Sequence, residues 1–478
     1  MDINSFKIDI EILATWISNY LMNLEEKPVI SDVNPTEIKK SLNSLPPIEG
    51  RKISDIVEEF EKKLTKGITH WNHPGFMAYF NSSSSEAGIL SEFLISALNL
   101  NGMLWITSPV ATELEEIVIS WFRNMVGLSD NFWGIIYDTA SISTFHALGA
   151  AREKLDLQIK EKGLAGRNVP KLTIYCSEHA HSSIEKSAIA LGIGQNNVKK
   201  IKTNEKFEMD IDELRASINS DLNDGAKPFC VVATVGTTSF ASIDPIEEIS
   251  KVCKEFDLWL HIDAAYAGVA AILPEMRWIT KGWENSDSIV INPHKWMFTP
   301  MDCSIFLIKD KNILKRAFTL VPEYLKTKKD DEVDNLMDYG LQLGRRFRAL
   351  KLWFIINNLG VKGIESKIRN HINWAKDFAN WVENHPHLFL ISPVHFSTVC
   401  FQFRINSESC KDKINYYNQK LLEIINSSKK IFISNTKLKD QIVLRITFGS
   451  YWQEERHIEL AKNVIQESID KILRNKIE

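Results

Sequence analysis

The sequence predicts an α/β fold: a mainly parallel central sheet, a helical segment ahead of it and a smaller α+β domain behind it. Three observations support this. Residues 171–176, 229–235, 258–262, 288–291 and 304–308 are short runs rich in β-branched or aromatic side chains and nearly free of charge, as in strands covered on both faces. A helical stretch at 245–256 separates the second from the third, and parallel neighbours need such crossovers. From about residue 352 the pattern turns to helix, two further strand-like runs and a closing helix.

Residues 1–85 are expected to be helical. Ile8, Ile10, Ile12, Leu13, Trp16, Ile17, Tyr20 and Leu21 recur at largely helical spacing, Pro35-Thr36-Glu37 opens a short helix, and 53–64 supplies the next. A stripe so near a terminus has no core of its own and must pack on something else. Residues 86–351 form the expected α/β domain, and 352–478, with runs at 399–403 and 442–446, the α+β domain. The chain has no internal repeat or low-complexity linker.

With 478 residues, 44% of them hydrophobic, the chain can bury a large core. Lys and Arg (57) nearly balance Asp and Glu (61), so no nucleic-acid or membrane partner is expected. The six cysteines form no C-x-x-C pair, which indicates a reducing compartment. The first 21 residues lack a basic stretch before an apolar core, and no apolar run is long enough to span a bilayer. A cytoplasmic protein is expected.

The chemistry sits at two strand ends. Run 288–291 leads into Asn292-Pro293-His294-Lys295-Trp296, which puts a lysine just past a buried strand. A half-desolvated amine beside a histidine loses its proton more easily and becomes a nucleophile for an aldehyde. Run 258–262 leads into Asp263-Ala264-Ala265-Tyr266, a carboxylate followed by small residues. Pyridoxal phosphate (PLP) is an electron sink only while its ring nitrogen stays protonated; a buried carboxylate ensures that, and small residues let a flat ring lie against the backbone. Either residue alone is ordinary, since most strand-end lysines are solvated and most such aspartates cap turns. Together they point to PLP. The interval between them has room for a crossover helix and a second strand, which would bring both to one edge of a parallel sheet.

His181 follows run 171–176 and can stack on the ring face opposite Ala265. His179 and His181, with His261 and His294, also spell a ligand set for a metal-dependent hydrolase. The first two would point apart on an extended backbone, and no acidic ligand accompanies them, so no metal is expected. Thr139-Ala140-Ser141, ahead of the helical run 145–154, reads by itself as an N-cap, and Gly236-Thr237-Thr238 as a turn. No G-x-x-x-x-G-K-[ST] motif supports a nucleotide phosphate.

HIDAAYAG (261–268) followed by NPHKW (292–296) resembles the PLP-dependent group II amino-acid decarboxylases, most of all the aromatic L-amino-acid decarboxylases. THWNHPGFMAYF (69–80), SPVATELE (108–115), TAS (139–141), HAHSS (179–183), ATVGTT (233–238) and LGRRFRALK (343–351) fall in family order, so the resemblance covers most of the chain. It implies the PLP-dependent transferase fold (fold type I) and a homodimer whose N-terminal segment wraps over the partner. Lys295 would carry the cofactor, Asp263 face its ring nitrogen, and His181 and Ala265 flank the ring. Thr139, Ala140, Ser141, Asn292 and His294 match phosphate contacts, and Thr238 a contact to cofactor and substrate. Tyr324 matches the loop tyrosine that returns a proton to the carbon that lost CO2; relatives with phenylalanine there form aldehydes.

The reaction implied is loss of CO2 from an L-amino acid, aromatic by the match of Trp71, Tyr79 and Phe80 to the family's side-chain pocket. Tryptophan, phenylalanine, tyrosine and dopa are the candidates. Asn101 and Met103 depart from the apolar and aromatic residues of the animal enzymes, while Gly344 matches the glycine of plant enzymes acting on indoles and tilts the choice toward tryptophan. The alternatives are an aldehyde synthase, a decarboxylase of a non-aromatic amino acid and, from another class, the metal-dependent hydrolase.

Overall fold

The computed structural model describes residues 3–320, 332–405 and 410–474. Seven strands form the large sheet: β1 (Trp133–Tyr137), β2 (Leu172–Ser177), β3 (Val198–Ile201), β4 (Lys227–Thr234), β5 (Trp259–Asp263), β6 (Ser288–Ile291) and β7 (Ser304–Ile308). Their order is β1-β7-β6-β5-β4-β2-β3. The pairs from β6 through β5, β4 and β2 to β3 are parallel, and β7 runs antiparallel to both β6 and β1. Every residue of β2, β5, β6 and β7 is buried, which explains the uninterrupted apolar runs. Asp263 pairs in register with Thr234 on one side and Val290 on the other, so three parallel strands end together at one edge.

The connections differ in kind. Helix Ile246–Glu255 joins β4 to β5 as expected, within a residue at each end. The segment from β5 to β6 is not the expected helix but three 3₁₀ stretches, Ala267–Ile272, Pro274–Thr280 and Trp283–Asn285. Pro274 removes a backbone donor, Gly282 adopts φ +86°, and a Cβ on Gly268 would lie 2.6 Å from Ile291 Cγ1. The crossover is pressed too closely onto β6 for a helix with side chains.

A second sheet, all antiparallel, has the order β10-β11-β9-β8, with β8 at Leu388–Leu390, β9 at Thr398–Phe403, β10 at Ser434–Leu438 and β11 at Gln441–Thr447. Helices Lys411–Ser427 and Glu455–Arg474 share its apolar core. Helix Ala349–Asn384 connects the two sheets and runs across residue 351, breaking at Gly360 (φ +64°). At the other end of the chain, helix Ile3–Met22 buries none of its residues. Trp16 and Tyr20 face their own chain: Trp16 packs on Phe60 and donates to Glu61, and the Tyr20 hydroxyl meets His70 Nδ1 at 2.8 Å. No helix among the described residues is long and apolar enough to cross a membrane.

Candidate active site

The strand edge where β4, β5 and β6 end opens into a cavity of about 200 Å³. Phe80, Thr139, Ala140, Ser141, His181 and Thr238 line it, with Asp263, Ala265, Asn292, His294 and Lys295. Lys295 lies in a one-turn helix, Pro293–Trp296, whose entry residue Asn292 donates its N–H to the Ala265 carbonyl at 3.1 Å. That bond ties the lysine's turn to the small residues after Asp263. Burial lowers the Lys295 pKa; Asp263 opposes the shift and Arg445 adds to it. An amine so placed is a better nucleophile at neutral pH than a solvated lysine.

Asp263 is buried, and its Oδ1 accepts the Ala265 N–H at 3.1 Å, which leaves Oδ2 for the cavity. Thr139 holds the N-cap position of helix Ala140–Lys154, its hydroxyl donating to Asp138 Oδ1 at 3.0 Å, and the helix start at Thr139, Ala140 and Ser141 lines the cavity, an arrangement suited to a phosphate. His294 Nδ1 accepts the Cys303 N–H at 3.0 Å, and burial brings its pKa down to about 4. His181 lies on the open side, its Nδ1 accepting from Ser183 N–H at 3.1 Å. His179 points elsewhere, with its ring against Phe207 and Phe240.

The cavity fits PLP on its own terms. Two buried polar atoms among its lining residues, Asn292 Oδ1 and Thr234 Oγ1, have no hydrogen-bond partner among the described residues, and such atoms imply a missing polar ligand. Ala140, Gly236 and Ala265 keep the walls flat. Gly236 has φ +86° and sits so close to Ala267 that a Cβ would come within 2.8 Å of it.

Residues 35–404 match the model of the pyridoxal-dependent decarboxylase conserved domain. The chain belongs to this family. It is 37% identical to tyrosine decarboxylase 2 of Arabidopsis thaliana, over 97% of this chain and 87% of that one. Phenylacetaldehyde synthase of a Rosa hybrid cultivar is 36% identical, with 99% and 95% covered. The crystal structure of Oryza sativa TDC with PLP and tryptamine superposes with a TM-score of 0.94 at 31% identity, covering 99% of each chain. The fold is therefore fold type I, and the cofactor of this decarboxylase is PLP.

The substrate-pocket candidates divide. Phe80 lines the cavity, stacked on Tyr266 at 3.8 Å between centroids. Trp71 and Tyr79 stack on each other at 5.9 Å, exposed and outside the cavity lining. Asn101, Met103 and Gly344 form another group: Asn101 Oδ1 accepts the Arg345 N–H at 2.9 Å, and its Nδ2 lies 3.6 Å from Met103 Sδ and 3.9 Å from the Gly344 Cβ position. Tyr324 falls outside the described residues. Tyr266 and Thr234 line the cavity as well, without a site role expected of them from the sequence, and Arg445, outside that lining, packs against Phe80. Tyr266 lies within HIDAAYAG and Thr234 within ATVGTT. Arg445 sits in β11, far along the chain, with no local signal. It is buried, its Nη1 donates to the Tyr79 carbonyl at 2.7 Å, and its guanidinium carbon lies 4.4 Å from the Phe80 centroid.

Proposed function

We propose that this chain is a cytoplasmic, homodimeric PLP-dependent decarboxylase that converts an aromatic L-amino acid to its amine and CO2. The observation that carries the reading is the pairing of Lys295, its pKa lowered by burial, with buried Asp263 at adjoining ends of parallel strands. When bound, PLP supplies the electron sink for the charge left as the Cα–carboxylate bond breaks. Lys295 provides the nucleophilic amine that holds the cofactor and later frees the product. Asp263 keeps the proton on the ring nitrogen. The donors at Thr139–Ser141, with Asn292 and His294, hold the phosphate, and His181 and Ala265 hold the ring between them.

Arg445 Nε and Nη2 are buried without a partner among the described residues. We assign them to orienting the substrate carboxylate, so that the bond to be broken stands perpendicular to the ring. Enclosure keeps water from that carboxylate and favours its loss as neutral CO2. Tyr324 returns the proton to Cα. Dimerisation is supported by exposed apolar faces: Ile3, Phe6, Ile8, Leu13 and Ile17 on the first helix, and Leu90, Phe93, Leu94 and Leu98 on helix Glu86–Leu98. The group around Asn101 and Gly344, absent from the cavity of its own chain, then serves the partner's site.

The direct test is CO2 release from tryptophan, tyrosine, phenylalanine, dopa and glutamate with PLP present, with amine, H2O2 and ammonia measured alongside. Amine equal to CO2 from an aromatic substrate supports the reading; H2O2 and ammonia in its place support the aldehyde synthase, which the likeness to phenylacetaldehyde synthase keeps in view. A sedimentation mass of one chain for the active enzyme would overturn the dimer.

A further inference from the structure

Lys351 does not line the cavity, yet its side chain is wholly buried. A buried ammonium is costly unless its surroundings are built to hold it. Its Nζ donates to the carbonyls of Asp302 at 2.9 Å and Pro300 at 3.3 Å, and pairs with Glu92, which also takes Arg346. Three residues earlier in the chain, Arg348 grips the Asp302 carboxylate through Nε at 2.7 Å and Nη2 at 3.3 Å. Two cations at the start of helix Ala349–Asn384 thus converge on one loop, the loop that follows Lys295 and leads into β7.

That loop ends on the active site. Cys303, next to Asp302, donates its N–H to His294 Nδ1 at 3.0 Å, and its carbonyl accepts the His294 N–H at 3.4 Å. With Nδ1 accepting, the neutral imidazole carries its proton on Nε2, the one ring nitrogen left for the cavity. Burial is the largest cause of the low His294 pKa; the Lys295 charge adds to it, as does Lys351 to a smaller degree. Packing alone would be met by an apolar side chain, whereas two carbonyl contacts to a single loop fix a backbone position.

We propose that Lys351 is a positioning residue for the cofactor: through the Asp302–Cys303 backbone it fixes His294 as a neutral Nε2–H donor aimed at the phosphate. This rests on the reading that His294 contacts the phosphate. The test is a double-mutant comparison in the holoenzyme, with PLP dissociation followed by absorbance during equilibrium dialysis. Glu92→Gln/Lys351→Met removes both charges together, so that neither is left buried and unpaired. It should raise the PLP Kd fivefold or more when His294 is present and less than twofold in a His294→Asn background. A protein in which Lys351 served only stability would show the same factor in both backgrounds, and that result overturns the proposal. A His294→Asn enzyme with unchanged Kd would instead remove the phosphate contact, and the proposal with it. Should the double variant fail to fold, Arg348→Met releases the same loop at the Asp302 carboxylate and is judged by the same two factors.

Discussion

Replacing Asp263 with Asn tests the site at its centre. Asp263 is 6% exposed and its Oδ1 is committed to the Ala265 N–H, so the oxygen facing the cavity is Oδ2. Asn at this position keeps the amide oxygen on Ala265 and turns Nδ2 toward the cofactor. A carboxylate oxygen that accepted the ring N–H becomes a donor opposed to it, and the ring nitrogen loses its proton. A hydrogen bond to a charged partner contributes roughly 1.5–3 kcal/mol, and in a site so little screened by water the upper end applies. At about 1.4 kcal/mol per factor of ten, that end gives a fall in kcat of roughly 150-fold. The phosphate contacts are untouched, so PLP should stay bound. The assay is CO2 release at saturating substrate, with cofactor content measured on the same sample. A kcat reduced less than tenfold with PLP fully bound would show that Asp263 is not the partner of the ring nitrogen.

Lys295→Ala should abolish the borohydride-reducible link between protein and PLP and nearly all turnover, while PLP remains held through its phosphate; a reducible lysine adduct in this variant would refute the assignment. Tyr324→Phe should shift product from amine toward aldehyde, ammonia and H2O2 with little change in substrate binding, and amine formed at the parent rate without oxygen uptake would show that another group donates the proton. Stability should fall in mild acid. Burial puts His261 and His294 at about 4, below the unfolded histidine value near 6.5, so the unfolded state binds more protons between those limits. Stability is then complete above about pH 6.5 and declines toward pH 4. Urea midpoints that do not move between pH 7 and pH 5 would contradict this.

The parts legible in the sequence are those in which local composition and burial agree. Between Lys227 and Asp263 at their ends, strands β4 to β7 carry no Asp, Glu, Lys or Arg because both faces are covered, and Asp263 and Lys295 stand out because one ends such a run and the other follows one. The strands overlooked are edges or fragments. β10 reads Ser434-Asn435-Thr436-Lys437-Leu438, β3 carries Lys199 and Lys200, and β8 has three residues; edge strands tolerate charge because one side is open to water. The length of the crossover after Asp263 leaves room for a helix, whereas the close approach of Gly268 to Ile291 is a tertiary fact. Arg445 was invisible for the same reason. Its partners, Tyr79 and Phe80, stand more than 360 residues earlier in the chain.

That long-range contact bears on substrate choice. The Tyr266 and Phe80 ring centroids lie 3.8 Å apart with their planes nearly parallel at 12°, and the Arg445 guanidinium carbon lies 4.4 Å from the Phe80 centroid. Tyr266 covers one face of Phe80, and Arg445 and Lys295 Nζ, 5.1 Å from the centroid, crowd the rest of the ring, so under the proposed function a substrate ring would meet Phe80 at its remaining edge. Edge-to-face contact is a favourable geometry for aromatic rings, and it accepts phenyl, phenol and indole alike. Under the proposed function, Phe80 would therefore favour an aromatic substrate without choosing among them. The Tyr266 hydroxyl is anchored to Ser397 at 2.6 Å and Arg445 belongs to β11, so the smaller sheet holds this wall from both sides. Discrimination among aromatic substrates is left to groups that can approach the far end of the ring. By the dimer reading those are Asn101, Met103 and Gly344 of the second subunit, where a hydroxyl or an indole N–H could find the Asn101 amide.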